Sequence, residues 1–361
     1  MDCAMMASKE AVMAQSYYQD RLVKENEKLQ SLKQTLPDYA VSFLNAKGVS
    51  CRTSSVVAYA FDLHLFFQYL QQHNPSLKDI SIKDIPINFL SSLTFEDINE
   101  YQSYLKHGVR NDGHIYTSNE YTLSRRMSSL RSFFKYQVIH KYLPNDPTQG
   151  AERVRLKKEK HIDRLSVTEA RKITDAVENV QLSGRARLFR EKTKYRDFAI
   201  ITLLLNSGIR ISELIGLNLD DVNFTSSQLT VIRKGGKKDT VYFNDETSAA
   251  LMTYIELERN RYIGEDDKPL FYSLRKKRIE VSTVQKMLRE YGQHALPETE
   301  RLYPHKFRKT YGTLLYEATG DIEEVANVLG HDSISTTSAH YIDKSERNKR
   351  HAGGLNLYGT L

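Results

Sequence analysis

The sequence predicts a two-domain, mainly helical protein, with an all-α N-terminal half and a mixed α/β second half. Three observations predict it. The chain has 361 residues, too long for one ordinary core and suited to two domains. From Tyr39 to about Tyr142, apolar residues recur at helical spacing. In the second half, an apolar helix is followed by two β-rich runs around a glycine turn, which places a hairpin among helices.

The elements follow in order. Residues 1–36 read as a polar, helix-prone extension, either packed on the first domain or open to a partner. The first domain is expected over 37–148. Pro37 reads as a first-turn residue of a helix through Tyr39, Val41, Phe43 and Leu44 that stops near Gly48. Thr53, Ser54 and Ser55 offer N-caps for a longer helix carrying Tyr59, Leu63, Phe66, Phe67 and Leu70, which ends before Asn74-Pro75. Thr94-x-x-Asp97 resembles a capping box ahead of Ile98, Tyr101 and Leu105. A loop from Gly108 to Gly113 leads to the last helix of this half, from about Thr122 to Tyr142. Leu123, Met127, Leu130, Phe134 and Val138 form its core stripe. Arg125, Arg126, Ser129, Arg131 and Lys135 lie mostly off that stripe. They make either an ordinary wet face or phosphate contacts in a major groove. A basic linker is expected over 149–165. The second domain follows over 166–361, entered through the cap Ser166-Val167-Thr168-Glu169.

Charged residues make up 27% and hydrophobic ones 40% of the chain, the balance of a soluble globular protein. No apolar run approaches the roughly 20 residues that span a bilayer. Met1 to Met6 lack the apolar stretch of a secretion signal. A cytoplasmic protein with no membrane partner is expected. Cys3 and Cys51 imply no disulfide framework. Lys plus Arg number 52 against 45 acids, and the pI of about 9.0 makes nucleic acid a fair partner. Arg153, Arg155, Lys157, Lys158, Lys160 and Arg164 crowd one stretch, and Arg185 to Arg196 another. Such runs are usually solvated loops; beside a phosphate site they favour a polyanion. No aromatic-plus-basic spacing of a single-strand binder is present, which favours duplex.

The chemistry gathers in the second half. His305-x-x-Arg308 puts two side chains on one helix face. That face could hold a phosphate, with arginine as a two-pronged donor and histidine as a titratable one. A tyrosine downstream could then attack phosphorus. Upstream, a helix with Phe198, Ile201, Leu204 and Leu205 ends at Gly208, a natural left-handed stop. Arg210 follows between two isoleucines. Burying an unpaired charge is costly, so Arg210 either pairs with Glu213 or faces a ligand anion. Strands 229–233 and 239–243 bracket the turn that holds Lys234. Lysines near hairpin tips usually serve solubility; Lys234 could instead reach into a site as a proton donor. Singly, each fragment is commonplace. Their order points to covalent phosphoryl transfer on DNA without a metal or nucleotide cofactor. The histidines lack zinc spacing, and no Asp/Glu cluster suggests magnesium.

Arg210 in Ser-Gly-Ile-Arg-Ile-Ser-Glu-Leu, Lys234 in the hairpin, His305-x-x-Arg308, Leu-Gly-His331 and Tyr341 resemble the site of the tyrosine recombinase/integrase family in order and spacing. The resemblance covers about Tyr39 to Tyr341. Leu29 to Pro37 with Tyr39, and Lys83 to Leu105, look like the XerS-like subgroup of cellular Xer recombinases, which act without a second paralogue. Two positions depart from the family pattern. Lys309 stands where histidine is common, and Tyr341 lies ten residues after His331 where nine is common.

The resemblance implies a helical core-binding, SAM-like domain and a catalytic domain clamped around DNA. It implies His305 as acid/base and Arg210 and Arg308 on the non-bridging oxygens of the scissile phosphate. His331 adds a further donor, Lys234 protonates the departing 5′-oxygen, and Tyr341 is left on the 3′-phosphate. Glu213 supports Arg210. Duplex contacts fall to Arg125, Arg126, Ser129, Arg131, Lys135, Arg155, Lys157 and Lys158. No cofactor is implied. A homo-tetramer on two duplexes is, joined through the tail 342–361 with Leu355, Leu357 and Tyr358 as anchors. A DNA translocase is a further partner, and resolution of chromosome dimers the biological use. A mobile-element integrase, a type IB topoisomerase and a DNA-binding protein with a decayed site remain open. The helical first half favours a recombinase, and the complete residue set argues against decay.

Overall fold

The computed structural model describes residues 2–108, 118–156, 163–179, 189–233, 236–263, 268–298, 301–331, 334 and 337, the side chains of 2–16 and Tyr262 excepted. The chain divides into two compact units, residues 1–158 and 159–361. Much of the expected loop 108–113, the basic positions Lys157, Lys158, Lys160, Arg185 and Arg187, and the tail 342–361 lie outside the described residues.

The first unit is helical: α1 (Asp2–Gln34), α2 (Asp38–Ser50), α3 (Thr53–His73), α4 (Ile87–Leu90), α5 (Phe95–His107) and α6 (Glu120–Ile139). Pro37 is the N-cap of α2 rather than its first turn, and its carbonyl accepts from Ala40 and Val41. Helix α3 begins on Thr53 itself, and Arg52 fills the cap position without a side-chain bond. The Thr94–Asp97 box forms with aspartate in the usual place of Glu or Gln. The Asp97 carboxylate accepts the Thr94 N–H at 2.7 Å, and the Thr94 hydroxyl accepts the Asp97 N–H at 3.5 Å. Helix α6 starts before its apolar stripe, because Asn119 caps it through the Thr122 N–H at 2.8 Å.

Apolar spacing on α2, α3, α5 and α6 brings Phe43, Phe66, Phe67, Tyr101, Phe133 and Phe134 into one core. Phe43 meets Phe133 edge to face at 5.6 Å, and Phe66 meets Phe134 at 5.9 Å. The end of α1 belongs to the same core through Leu29. The Lys28 ammonium sits 4.9 Å from the Phe61 ring centre.

A carboxylate is buried in this unit. Asp62 of α3 receives Arg125 through two bonds, at 2.6 and 2.8 Å, and the Ser129 hydroxyl at 2.6 Å. Ser129, expected on a face of α6 open either to water or to a DNA backbone, is only 5% exposed. The sequence pattern missed this because a serine one turn from an arginine fits a wet face equally well.

The second unit holds α7 (Val167–Asn179), α8 (Lys194–Ser207), α9 (Ile211–Gly216), α10 (Asp245–Tyr254), α11 (Val281–Ala295), α12 (Pro304–Thr319) and α13 (Ile322–Leu329). Ser166 and Glu169 cap α7 reciprocally, at 2.8 and 3.1 Å. An antiparallel sheet runs β1 (Val222–Asn223), β2 (Gln228–Ile232), β3 (Lys238–Tyr242) in that order. The β2–β3 hairpin closes on Ile232 opposite Lys238. Strand β1, two residues long, carries no periodicity to read. Both ends of the 149–165 stretch are packed within their own units. Ala151 is buried in the first core, while Arg164 pairs with Glu317 at 2.9 Å and the Leu165 N–H reaches the Thr310 hydroxyl at 2.8 Å.

Helix α10 continues through a π turn, Ile255–Arg259. The turn aims Glu258 at the start of α8, where its carboxylate accepts the N–H groups of Tyr195 and Arg196 at 3.0 and 3.1 Å. Two orphan donors of that helix end are thereby satisfied. Burial pushes the Glu258 carboxyl up to about 7, against the opposing pull of those bonds and of Arg196.

Two outcomes follow. Arg125→Ala leaves the buried Asp62 carboxylate without its charged partner and should cost roughly 2 kcal/mol more in urea unfolding than Asp62→Ala, which leaves behind a guanidinium already half exposed to water. Glu258 binds its proton more tightly folded than unfolded. Its contribution is full below the ordinary 4.5 and is lost as pH rises through about 7. The melting temperature should therefore fall between about pH 4.5 and about pH 7, and Glu258→Gln should flatten that slope. Parallel slopes would refute it.

Candidate active site

The second unit gathers three arginines at the C-terminal ends of two helices. Helix α8 ends at Gly208, in the left-handed region at φ +60°. A side chain there would strike Tyr311, 2.5 Å from the Cβ position, and Leu329 at 2.9 Å. The end of α8 therefore lies against α12 and α13. Helix α13 ends in the same way at Gly330, φ +61°. The His331 N–H returns to the Ala326 carbonyl at 2.9 Å and fixes the turn that carries His331.

Three arginines meet three consecutive carbonyls at the end of α13. Arg233 donates to Val328 at 3.0 Å, Arg308 to Leu329, and Arg210 to Gly330 at 3.0 Å. Arg308 also donates to Gly208 at 2.7 Å, which ties the ends of α8 and α13 together. It is only 2% exposed. These carbonyls carry the negative end of the helix dipole, where cations are favoured.

Glu213, 2% exposed, organises the arginines. Its Oε1 accepts from Arg210 Nη1 at 2.9 Å. Its Oε2 accepts from the Arg210 N–H at 2.9 Å and from Arg233 Nη1 at 3.0 Å. Arg210 thus pairs with Glu213 and keeps a more exposed side chain, at 30%. His331 Nδ1 lies 2.9 Å from the buried Thr337 hydroxyl.

Of the expected site residues, Arg210, Glu213, Arg308 and the turn before His331 converge. His305 lies exposed in the first turn of α12, one turn ahead of Arg308. Lys234 and Tyr341 lie outside the described residues. Tyr311 is packed beneath Gly208, and burial followed by Glu324 raises its hydroxyl pKa. It is poorly suited to ionise.

Two features went unread in the sequence. Lys306, inside the His-x-x-Arg box, is buried and bonded to Asp163 at 2.7 Å. Tyr303 donates to the same carboxylate. Burial raises the Asp163 pKa, but the bonds from Lys306 and Tyr303 outweigh it and hold it below its usual range. This pair fastens residue 163 to the first turn of α12. Arg233 is the second, and its only signal was its place beside Lys234. Among the described residues, no three His, Cys, Asp or Glu side chains form a metal-binding group, and no helix is long and apolar enough to cross a membrane.

In the first unit, Arg126 donates to Ser118 at 2.9 Å and Arg131 to the Glu152 carbonyl at 3.4 Å. Burial and the neighbouring Arg153 lower the Arg131 pKa. Lys135 and Arg155 are exposed.

Comparison with known proteins gives a consistent picture. Residues 163–348 match the phage integrase family, and residues 42–141 match the phage integrase N-terminal SAM-like domain. Tyrosine recombinase XerC of Caldanaerobacter subterraneus is 33% identical over 90% of this chain and 88% of its own. Tyrosine recombinase XerS of Streptococcus agalactiae is 30% identical over 89% and 97%. A crystal structure of the XerH site-specific recombinase on difH substrate, in a post-cleavage complex, superposes with a TM-score of 0.63 at 17% identity, covering 92% of this chain and 95% of that one. A lambda integrase dimer on a core site superposes at 0.59 and 15% identity, covering 85% and 77%. With both halves matched in order and the arginines gathered at one helix end, this chain belongs to the phage integrase family of tyrosine recombinases.

Proposed function

We propose that this chain is a site-specific recombinase that cuts and rejoins duplex DNA through a 3′-phosphotyrosyl intermediate, and that it resolves chromosome dimers. The observation that carries it is the convergence of Arg210, Arg308 and the His331 turn on one helix end, with Glu213 fixing Arg210 beforehand. Donors held in place before the phosphate arrives need no reorganisation as charge develops, which is how such sites lower a barrier.

Each residue then has a task. Arg210 and Arg308 hold the non-bridging oxygens of the scissile phosphate, and His331 adds a donor. The Tyr341 hydroxyl attacks phosphorus as His305 takes its proton. The new O–P bond forms as the bond to the 5′-oxygen breaks, and Lys234 protonates that oxygen. Ionising a free tyrosine at pH 7 costs roughly 4 kcal/mol, and surrounding cations reduce the cost. The covalent linkage preserves the phosphodiester bond, so a 5′-hydroxyl of another strand can reverse the step without ATP. Arg125, Arg126, Arg131, Lys135, Arg155, Lys157 and Lys158 contact the duplex backbone. Ser129 acts there through Asp62 and Arg125. Exchange between two duplexes calls for four protomers, linked through residues 342–361, with a DNA translocase as a further partner and the cytoplasm as the place of action.

Nicked duplexes made from fragments of the host chromosome test this directly. A trapped covalent adduct should form with wild-type protein and vanish in Tyr341→Phe. An adduct that persists in that variant assigns the nucleophile elsewhere. Arg308→Ala and Arg210→Ala should each slow adduct formation by about 10²–10³. Supercoiled plasmids with and without the trapped site distinguish a topoisomerase, which relaxes both and yields no recombinants. Removing residues 342–361 should abolish four-protomer complexes on two duplexes while leaving single-site binding.

A further inference from the structure

Arg233 is a buried, fully bonded charge beside the site that the proposed chemistry does not use. Its backbone closes the mouth of the hairpin turn. The Arg233 N–H donates to the Lys237 carbonyl at 2.8 Å, and the Arg233 carbonyl accepts from Gly236 at 3.1 Å. Its side chain runs inward and is 8% exposed. The guanidinium meets Asp239 at 2.8 Å through Nε, Glu213 at 3.0 Å through Nη1 and the Val328 carbonyl at 3.0 Å through Nη2. Gly330 leaves room for it, since a Cβ there would lie 2.8 Å from Arg233 Nε.

The charge balance explains the arrangement. Arg210 and the buried Glu213 alone form a neutral pair, and a neutral pair attracts an anion weakly. Arg233 on the second carboxylate oxygen leaves the trio with one net positive charge. It also covers one of the carbonyls at the negative end of α13. Asp239, which balances Arg233 from the outer side, is 40% exposed, so water screens its charge. Lysine would keep the charge and do this only in part, because a single ammonium lacks the planar fork that reaches acceptors on three sides.

We infer that Arg233 is a positioning residue of the active site, which acts through Glu213 and the end of α13 to keep Arg210 oriented and net positive toward the scissile phosphate. This rests on the recombinase reading above and adds a residue to it. Arg233 touches no reacting atom; it sets the charge that the reacting phosphate meets.

The test uses the full-length protein and the duplex recovered by covalent trapping, made in two forms. One carries the ordinary phosphodiester at the cut position. The other carries a methylphosphonate, which lacks the negative charge. On the ordinary duplex, Arg233→Gln should slow adduct formation by about 10- to 100-fold, the equivalent of one charge-assisted hydrogen bond. On the methylphosphonate duplex, the variant and wild type should differ by less than about threefold, because the charge to be offset is gone. A loss of equal size on both duplexes would mean that Arg233 only holds the fold together, and would overturn the proposal. So would wild-type speed on the ordinary duplex. Should Arg233→Gln fail to fold, Arg233→Lys keeps the charge and serves in its place. It should be slowed less than about tenfold on the ordinary duplex and match wild type on the neutral one; equal losses on both duplexes would again overturn the proposal. No adduct from wild-type protein on any chromosomal duplex would instead remove the recombinase reading itself.

Discussion

One carboxylate, that of Glu213, governs the second unit. It is buried, and a buried carboxylate survives ionised only when its oxygens are matched by donors. Arg210 and Arg233 supply the charged donors, and the Arg210 N–H supplies another. The match ties three separate pieces of chain together: the cap of α9, the mouth of the β2–β3 hairpin and, through the arginines, the end of α13. Gly330 follows from the same constraint, since a side chain there would meet Arg233, while a side chain at Gly208 would strike Tyr311 and Leu329. Each ends a helix in the left-handed region.

Much of this was legible in sequence because it is local. Gly208 as a stop, Glu213 three residues after Arg210, and the hairpin around Gly236 all follow from spacing within a few residues. The helices of the first unit could be read from apolar periodicity, which reports a buried face directly. The first residues of α3 and α6 could not, although the Thr94–Asp97 box marked the start of α5. Arg52 holds the cap position of α3 without a side-chain bond and Asn119 caps α6 through its side chain, and neighbouring Ser and Thr residues were equally good candidates.

What escaped the sequence is the pairing of charges far apart in the chain. Asp62 with Arg125, Asp163 with Lys306 and Glu213 with Arg233 each join residues that no local pattern connects. Ser129 shows the difficulty. Its position on α6 allows a wet face or an inward bond, and only the buried Asp62 across from it decides between them. Arg233 posed the same problem. A basic residue at a hairpin mouth looks like a surface charge until a carboxylate 20 residues away in sequence draws it in.

An anion site is most simply built at a helix N-terminus, where the N–H groups and the dipole both favour negative charge. Here the site residues gather at C-termini, where the carbonyls of Gly208, Val328, Leu329 and Gly330 have the opposite sign. Left bare, those carbonyls would repel a phosphate. Arg308 covers two of them, and Arg210 and Arg233 one each. The carbonyls in turn hold the guanidiniums in fixed planes, which water would not do. A helix end of the wrong sign thus becomes a rigid rack for positive charge. Its strength depends on there being more arginines than the buried carboxylate alone would cancel.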